Sequence, residues 1–195
     1  MSVENLTTQD ISDERFWLMP QTPSYVDEGI PYITSKNIKN RKISFEDINY
    51  ITKEDYETIS KNRSINTDDL LITMIGTIGE CAFVGKDTEF YGQNMYLVRL
   101  NNKVNKKYFQ YYFEMNKNKL VSKKNASSQG YLKAGSIDNM QIQLPPLALQ
   151  EKIVDVLDKF DDYTNSIESG LKGEIEKNQQ RYEYYRDLLL NFERK

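Results

Sequence analysis

Residues 144–192, LPPLALQEKIVDVLDKFDDYTNSIESGLKGEIEKNQQRYEYYRDLLLNF, decide how the rest of the chain is to be read. Pro145 and Pro146 end whatever precedes them, because proline offers no backbone N–H and pushes its predecessor out of helical geometry. No proline follows, and Leu, Ile, Asp, Glu, Lys, Gln and Tyr dominate the remainder, a composition that suits a long helix. Ile153, Leu157, Phe160, Thr164, Ile167 and Leu171 recur at alternating steps of four and three, the spacing of a heptad seam. The seam resumes at Ile175, Asn178, Tyr182, Tyr185, Leu189 and Phe192, but Leu171 to Ile175 is a second consecutive step of four. Such a stutter rotates the seam about the helix. Gly170 and Gly173 flank it, each costing about 1 kcal/mol against alanine in a helix interior, so a kink or short turn is predicted there. Unbroken, the helix would run roughly 70 Å at about 1.5 Å per residue, too long for a small domain to cover. Its apolar stripe needs a partner.

Before the prolines the texture changes. From about Gly29 to Leu144, short apolar runs alternate with turn residues, which predicts strands near Pro31–Ser35, Asn49–Thr52, Asp69–Ile75, Glu80–Gly85, Met95–Leu100 and Met140–Leu144. Thr52 with Asp55 three residues on predicts a capped helix to about Ser60, and Asn105 is placed to cap a second. In that second helix Tyr108, Tyr111, Tyr112 and Met115 fall at helical spacing and are expected to face the core. Ile75-Gly76-Thr77-Ile78-Gly79 matches the IGxxG loop of single-strand-binding KH domains in form, but that loop joins two helices and this one lies between strand-like runs. Gly76 and Gly79 are read as turn glycines. The expected fold is α+β, with a β-rich domain over residues 1–146 and a helical region over 147–195 that pairs as a coiled coil.

Composition narrows the chemistry. The 195 residues, 38% of them hydrophobic, suffice for one globular domain and an appendage. Histidine, the usual neutral-pH proton carrier and zinc ligand, is absent. The only cysteine, Cys81, has no internal disulfide partner and lies in a strand-like run, ECAFVG, where a buried, unreactive position is expected. The opening MSVENLTTQDISDERF is too polar and acidic for a signal peptide, and no run approaches the roughly 18 apolar residues of a membrane helix, so a cytoplasmic protein is expected. The net charge is −3; residues 1–146 carry 18 bases and 18 acids, residues 147–195 carry 8 and 11. Any nucleic-acid binding must come from local clusters.

Two such clusters exist. SKNIKNRK holds Lys36, Lys39, Arg41 and Lys42, and the interval from Lys103 to Lys124 has seven lysines against a single acid, Glu114. Asn37 and Asn40 punctuate the first, Ser127, Ser128 and Gln129 follow the second, and Gln93 and Asn94 stand in YGQNMY. Amides suit adenine, basic groups suit guanine, and hydroxyls suit either. Enzymatic signatures are missing: no GxxxxGK[ST], no GxGxxG after a strand and no GxSxG elbow. Leu144-Pro145-Pro146-Leu147 lacks the leading polar residue and closing aromatic of an amino-methyltransferase tetrapeptide.

The segment from Gln143 to Phe192, with LPPL, then Q and IV, then LDKFD and RYEYYRD, resembles the conserved helical region of type I restriction-modification specificity subunits. GIPYITSKNI, DDLLITMIG, GQNMYLVRL and LKAGSIDNMQIQLPPL resemble, more weakly, that family's target recognition domains. The resemblance implies a non-catalytic subunit in which the recognition domain reads half of a split double-stranded DNA site from the major groove. The helices would set the spacing between readers and dock the methyltransferase subunit, and a restriction subunit where cleavage accompanies methylation. No cofactor is expected on this chain; S-adenosylmethionine would sit on the methyltransferase. A full member carries two recognition domains and two helical regions, whereas one of each is present here, so a natural half subunit, a truncation and an engineered piece all remain open. Self-association about a two-fold axis is favoured, predicting an inverted-repeat site. With little of the usual leader before FWLMPQTPSY, an N-terminal strand is expected to be missing or replaced. Lys36, Lys39, Arg41, Lys42, Lys123 and Lys124 are the expected phosphate contacts, and Asn37, Gln93, Asn94, Ser128, Gln129 and Lys133 the base or groove contacts. Ile153, Leu157, Phe160, Ile167, Ile175, Tyr182, Tyr185, Leu189 and Phe192 would carry helix pairing. The rival readings are a coiled-coil assembly protein that does not bind DNA and a small hydrolase using carboxylates alone.

Overall fold

The computed structural model describes residues 3–21, 23–86, 89–121, 130–162 and 170. The chain divides into two compact units, residues 1–150 and 151–195. In chain order the first contains β1 (Glu4–Thr7), β2 (Ser12–Leu18), β3 (Ile30–Ile33), β4 (Ile38–Lys39), β5 (Lys42–Ile43), β6 (Asn49–Ile51) and α1 (Lys53–Ser60). There follow β7 (Leu70–Thr73), β8 (Cys81–Phe83), β9 (Tyr91–Gly92), β10 (Met95–Leu100), α2 (Lys106–Leu120), α3 (Ala134–Asp138) and β11 (Gln141–Leu144). The architecture is α+β.

Among the described residues the strands form four sheets, ordered β2-β10-β7-β8, β6-β3-β9, β1-β11 and β4-β5. β7 reads Leu-Leu-Ile-Thr and is buried at every position, because it lies between β10 and β8 with both faces covered. One core joins the first two sheets: Leu18, Leu71, Ala82, Met95 and Leu97 from the larger pack with Tyr32, Ile33, Ile51 and Tyr91 from the smaller, and Ile38 of β4 closes it. Cys81, on β8, is 2% exposed, as its strand context led us to expect.

Both expected helix caps are present. Thr52 Oγ1 accepts from Asp55 N at 3.1 Å, and Asn105 Oδ1 accepts from Tyr108 N at 3.1 Å, so each side chain satisfies an N–H that the first helical turn leaves unpaired. The buried face of α2 differs from expectation. Tyr108, Phe109, Gln110 and Phe113 are buried, Tyr111 and Tyr112 only half so, and Met115 is 67% exposed. The stripe is turned because Phe109 and Phe113, four apart and larger in apolar area than the tyrosines, take the core side. At the chain's opening β1 pairs antiparallel with β11, and β2 forms the edge of the larger sheet beside β10.

At the proline boundary Pro146 O accepts from Leu149 N at 2.8 Å and from Gln150 N at 3.1 Å, opening a helix over residues 147–162 (α4). Gln150, 1% exposed, donates from Nε2 to Pro145 O at 2.7 Å and accepts at Oε1 from Asn105 N at 2.7 Å. The helix start is thereby tied to the start of α2. In the second unit Ile153 and Leu157 are half-buried and Phe160 is 65% exposed. The other expected seam residues, Ile167, Ile175, Tyr182, Tyr185, Leu189 and Phe192, and the stutter after Leu171, lie outside the described residues. Among the described residues no helix is long and apolar enough to cross a membrane.

Candidate nucleic-acid interface

Strand register gathers several loops at one edge of the first unit. Leu18 at the end of β2 and Thr73 at the end of β7 both pair with Met95, the first residue of β10. β3 runs parallel to β9 and ends with Ile33 beside Gly92. The segments after β2, β3 and β7 and the one before β10 therefore emerge together. Backbone bonds fasten them: Asn94 N donates to Leu18 O at 2.9 Å, Gln93 N to Ile33 O at 3.2 Å, Met74 N to Asn94 O at 3.0 Å, and Leu132 N to Met74 O at 3.3 Å. Thr77 Oγ1 adds a bond to Ser35 O at 2.6 Å.

The tight turns at this edge are made by residues that tolerate left-handed backbone. Gly76 and Gly79 have φ of +83° and +76°, as their reading as turn glycines requires, and Asn94 has φ of +65°. A Cβ on Gly76 would stand 2.7 Å from Ser35 Oγ, so the two loops approach as closely as they do only because that side chain is absent. Lys36, Ile75 and Lys133 are exposed here, while Gln93 and Asn94 are half-buried. Gln93 Oε1 accepts from the Tyr32 hydroxyl at 3.4 Å. Lys133 precedes α3, with Nζ 5.9 Å from the Tyr131 ring centroid. α3 is held in turn by Asp138, whose Oδ1 accepts from Arg15 Nε at 3.0 Å and the Tyr96 hydroxyl at 2.8 Å. Burial, and then that bond to a carboxylate, raise the Tyr96 hydroxyl well above an ordinary phenol.

The basic segment beginning at Lys36 folds as a hairpin leaving the same edge. β4 and β5 pair with Ile38 opposite Ile43 and Lys39 opposite Lys42, joined by Asn40 and Arg41 at φ of +50° and +60°. Two consecutive residues with positive φ form the type I′ turn that matches strand twist. Lys39 and Lys42 thus face each other directly, an arrangement that costs stability unless an anion lies between or above them. Both are exposed, as is Lys36, and among the described residues no carboxylate forms an ion pair with any of the three.

Asn37 and Arg41 are engaged differently. Asn37 is 4% exposed; its Oδ1 accepts from Thr34 N at 3.0 Å and its Nδ2 donates to Glu46 O at 3.1 Å, so the amide shapes the hairpin's base instead of facing outward. Arg41 Nε and Nη2 contact the two oxygens of Glu114 at 2.9 and 2.7 Å, and its guanidinium carbon lies 4.5 Å from the Tyr111 ring centroid. In the second basic interval Lys106 pairs with Asp68 at 2.7 Å and Lys117 with Glu80 at 3.1 Å. Lys123, Lys124, Ser128 and Gln129 lie outside the described residues. Sequence reasoning missed the hairpin, although Ile-Lys-Asn-Arg-Lys-Ile, an apolar and basic frame around an Asn-containing pair, carries a short-hairpin signal. It also passed over Ile75, 43% exposed at the tip of the β7–β8 turn.

Comparison with known proteins agrees with this architecture. The family model described as the type I restriction modification DNA specificity domain matches residues 18–177. S.HindORF215P of Haemophilus influenzae, assigned as a type I restriction enzyme specificity subunit, is 36% identical over 151 residues, covering 73% of this chain and 37% of that protein. The Escherichia coli EcoR124I/EcoR124II specificity subunit is 44% identical over 72 residues, 37% of this chain and 18% of its own. In fold, the HsdS subunit of Thermoanaerobacter tengcongensis superposes with a TM-score of 0.60 at 14% identity, over 84% of this chain and 38% of that one. The chain therefore spans well under half the length of the relatives it matches. With the family model spanning most of its length, and the loop edge and hairpin falling inside the matched region, this chain belongs to the type I restriction-modification DNA specificity family.

Proposed function

We propose that residues 1–146 read double-stranded DNA through the loop edge and hairpin described above, and that residues 147–195 pair with a second copy of the chain. The observation that carries the DNA-reading half is the set of three exposed lysines, Lys36, Lys39 and Lys42, without ion-pair partners among the described residues, beside a bonded cluster of loops bearing Gln93, Asn94 and Lys133. Phosphate contacts position a protein on the duplex and base contacts specify the sequence, so the lysines supply the first role and the loops the second. Asn37 and Arg41 are assigned to holding the hairpin. The chain performs no chemistry in this reading. It docks methyltransferase subunits, which carry S-adenosylmethionine, and a restriction subunit where cleavage follows, acting in the cytoplasm as a homodimer.

Mapping the methylated positions in DNA exposed to this chain and its methyltransferase subunit tests the proposal. Two identical readers require an inverted repeat with an unspecified spacer. An asymmetric site would overturn the homodimer. Absence of a gel shift on any duplex at any salt, with or without the methyltransferase, would overturn DNA reading and leave an assembly protein.

A further inference from the structure

One polar strip on α2 ties together two of the loops at the interface. Gln110, Glu114 and Lys117 are spaced by four and three positions and so share a helix face. Gln110 Nε2 donates to Cys81 O, at the start of β8, at 3.4 Å. Glu114 takes both sides of the Arg41 fork from the tip of the β4–β5 hairpin. Lys117 Nζ reaches Glu80 Oε1 at 3.1 Å, just past the Gly76–Gly79 turn, and its side chain passes 3.4 Å from where a Gly79 Cβ would stand. A single helix face thus grips the hairpin tip and the β7–β8 turn together.

We propose that Glu114 is a positioning residue for DNA reading: with Tyr111 it locks Arg41 to α2, so that Arg41 braces the Lys39–Lys42 pair in place and does not itself bind phosphate. The inference rests on the DNA-reading function proposed above. Geometry supports it. A guanidinium has two hydrogen-bonding edges and two faces; here the Nε–Nη2 edge is filled by a carboxylate and one face by an aromatic ring, which fixes the plane of the group. Arg41 also occupies a positive-φ position of a two-residue turn, which fixes where its side chain leaves the hairpin. Its neighbours are the reverse case, since Lys39 and Lys42 are exposed and oppose each other across the ladder. One cation is neutralised internally and two are left facing outward. Glu114 is the single acid in the otherwise basic interval from Lys103 to Lys124, and it stands where that cation arrives.

The sign of one substitution separates the brace from its rival. Glu114→Gln removes a negative charge near the DNA-reading surface. If Arg41 were a phosphate ligand held in check, its release would tighten binding to any duplex and steepen the slope of log K against log salt by about 0.9. The brace predicts the opposite. In the complex of the full chain with its methyltransferase subunit, Glu114→Gln should lower the preference for a duplex carrying the mapped methylated site, over a random duplex of equal length, by about tenfold without steepening the slope. Arg41→Gln should cause the same loss, and the double variant no further loss, because the two residues act as one unit. Lys39→Gln, by contrast, should flatten the slope by about 0.9. Arg41→Lys keeps the charge but not the fork, and should reproduce the Glu114→Gln loss even if the latter protein does not fold.

Tighter binding or a steeper slope for Glu114→Gln, an unchanged preference, or an Arg41→Gln slope that flattens as Lys39→Gln does, would each overturn the brace. A wild-type complex that binds neither duplex would overturn the DNA-reading function, and the brace with it.

Discussion

Asn37 commits its amide to the backbone around it through the bonds to Thr34 and Glu46, and at 4% exposure it is turned inward, away from any base. Replacing it by alanine strands the part-buried Thr34 N–H and Glu46 carbonyl, so Asn37→Ala should lower stability by about 1–2 kcal/mol in urea unfolding. Its salt dependence of DNA binding should match the wild type. Cys81 is governed by the same low-dielectric interior. Burial, and then the neighbouring Glu114 carboxylate, push its thiol up to about 12 from an ordinary 9.0. Above pH 9 the unfolded chain gives up that proton while the folded chain keeps it, so the folded state binds more protons and loses stability as pH rises. The contribution is complete below pH 9 and disappears towards pH 12. Cys81→Ala should therefore show a shallower alkaline fall in melting temperature; an identical fall would mean that the thiol is not responsible.

At the level of elements, the start of α4 depends on one side chain. Gln150 bridges Pro145 O and Asn105 N, and Asn105 in turn caps α2 through Tyr108 N, so two helix starts share one bonded chain. Gln150→Leu keeps much of the volume and leaves both backbone groups buried and unpaired, which should cost about 2 kcal/mol on thermal unfolding. Thr52, Asn105 and the Pro145-Pro146 stop were legible because capping and proline chemistry act within a few residues. β7 and β10 were legible because long apolar runs leave little choice. The β4–β5 hairpin was hidden by its charges, which read as a solvated cluster before the Asn40-Arg41 turn was seen to pair them. The side of α2 that faces the core was hidden as well, since Tyr, Phe and Met all satisfy helical spacing and only packing decides among them. The pairing of Arg41 with Glu114, 73 positions apart, has no local signature at all.

Across the whole molecule, charge is unevenly divided: residues 1–146 balance to zero and the acidic excess lies in 147–195. An acidic segment repels phosphate, which supports the proposal that DNA contact falls to residues 1–146. Leu157 lies on the predicted seam, and a charge in a desolvated helix pair has no partner, so Leu157→Asp should convert a dimer to a monomer in light scattering. An unchanged mass would place the pairing surface elsewhere. The opposed Lys39 and Lys42 ammonium groups carry a last consequence for the molecule in solution. Counterions quiet the repulsion inside the unbound hairpin, and the same counterions compete for the duplex. As potassium chloride is raised, the free protein should grow harder to melt while its grip on the double helix slackens, and polyanions such as heparin should mimic the duplex by relieving the strain of two like charges held face to face.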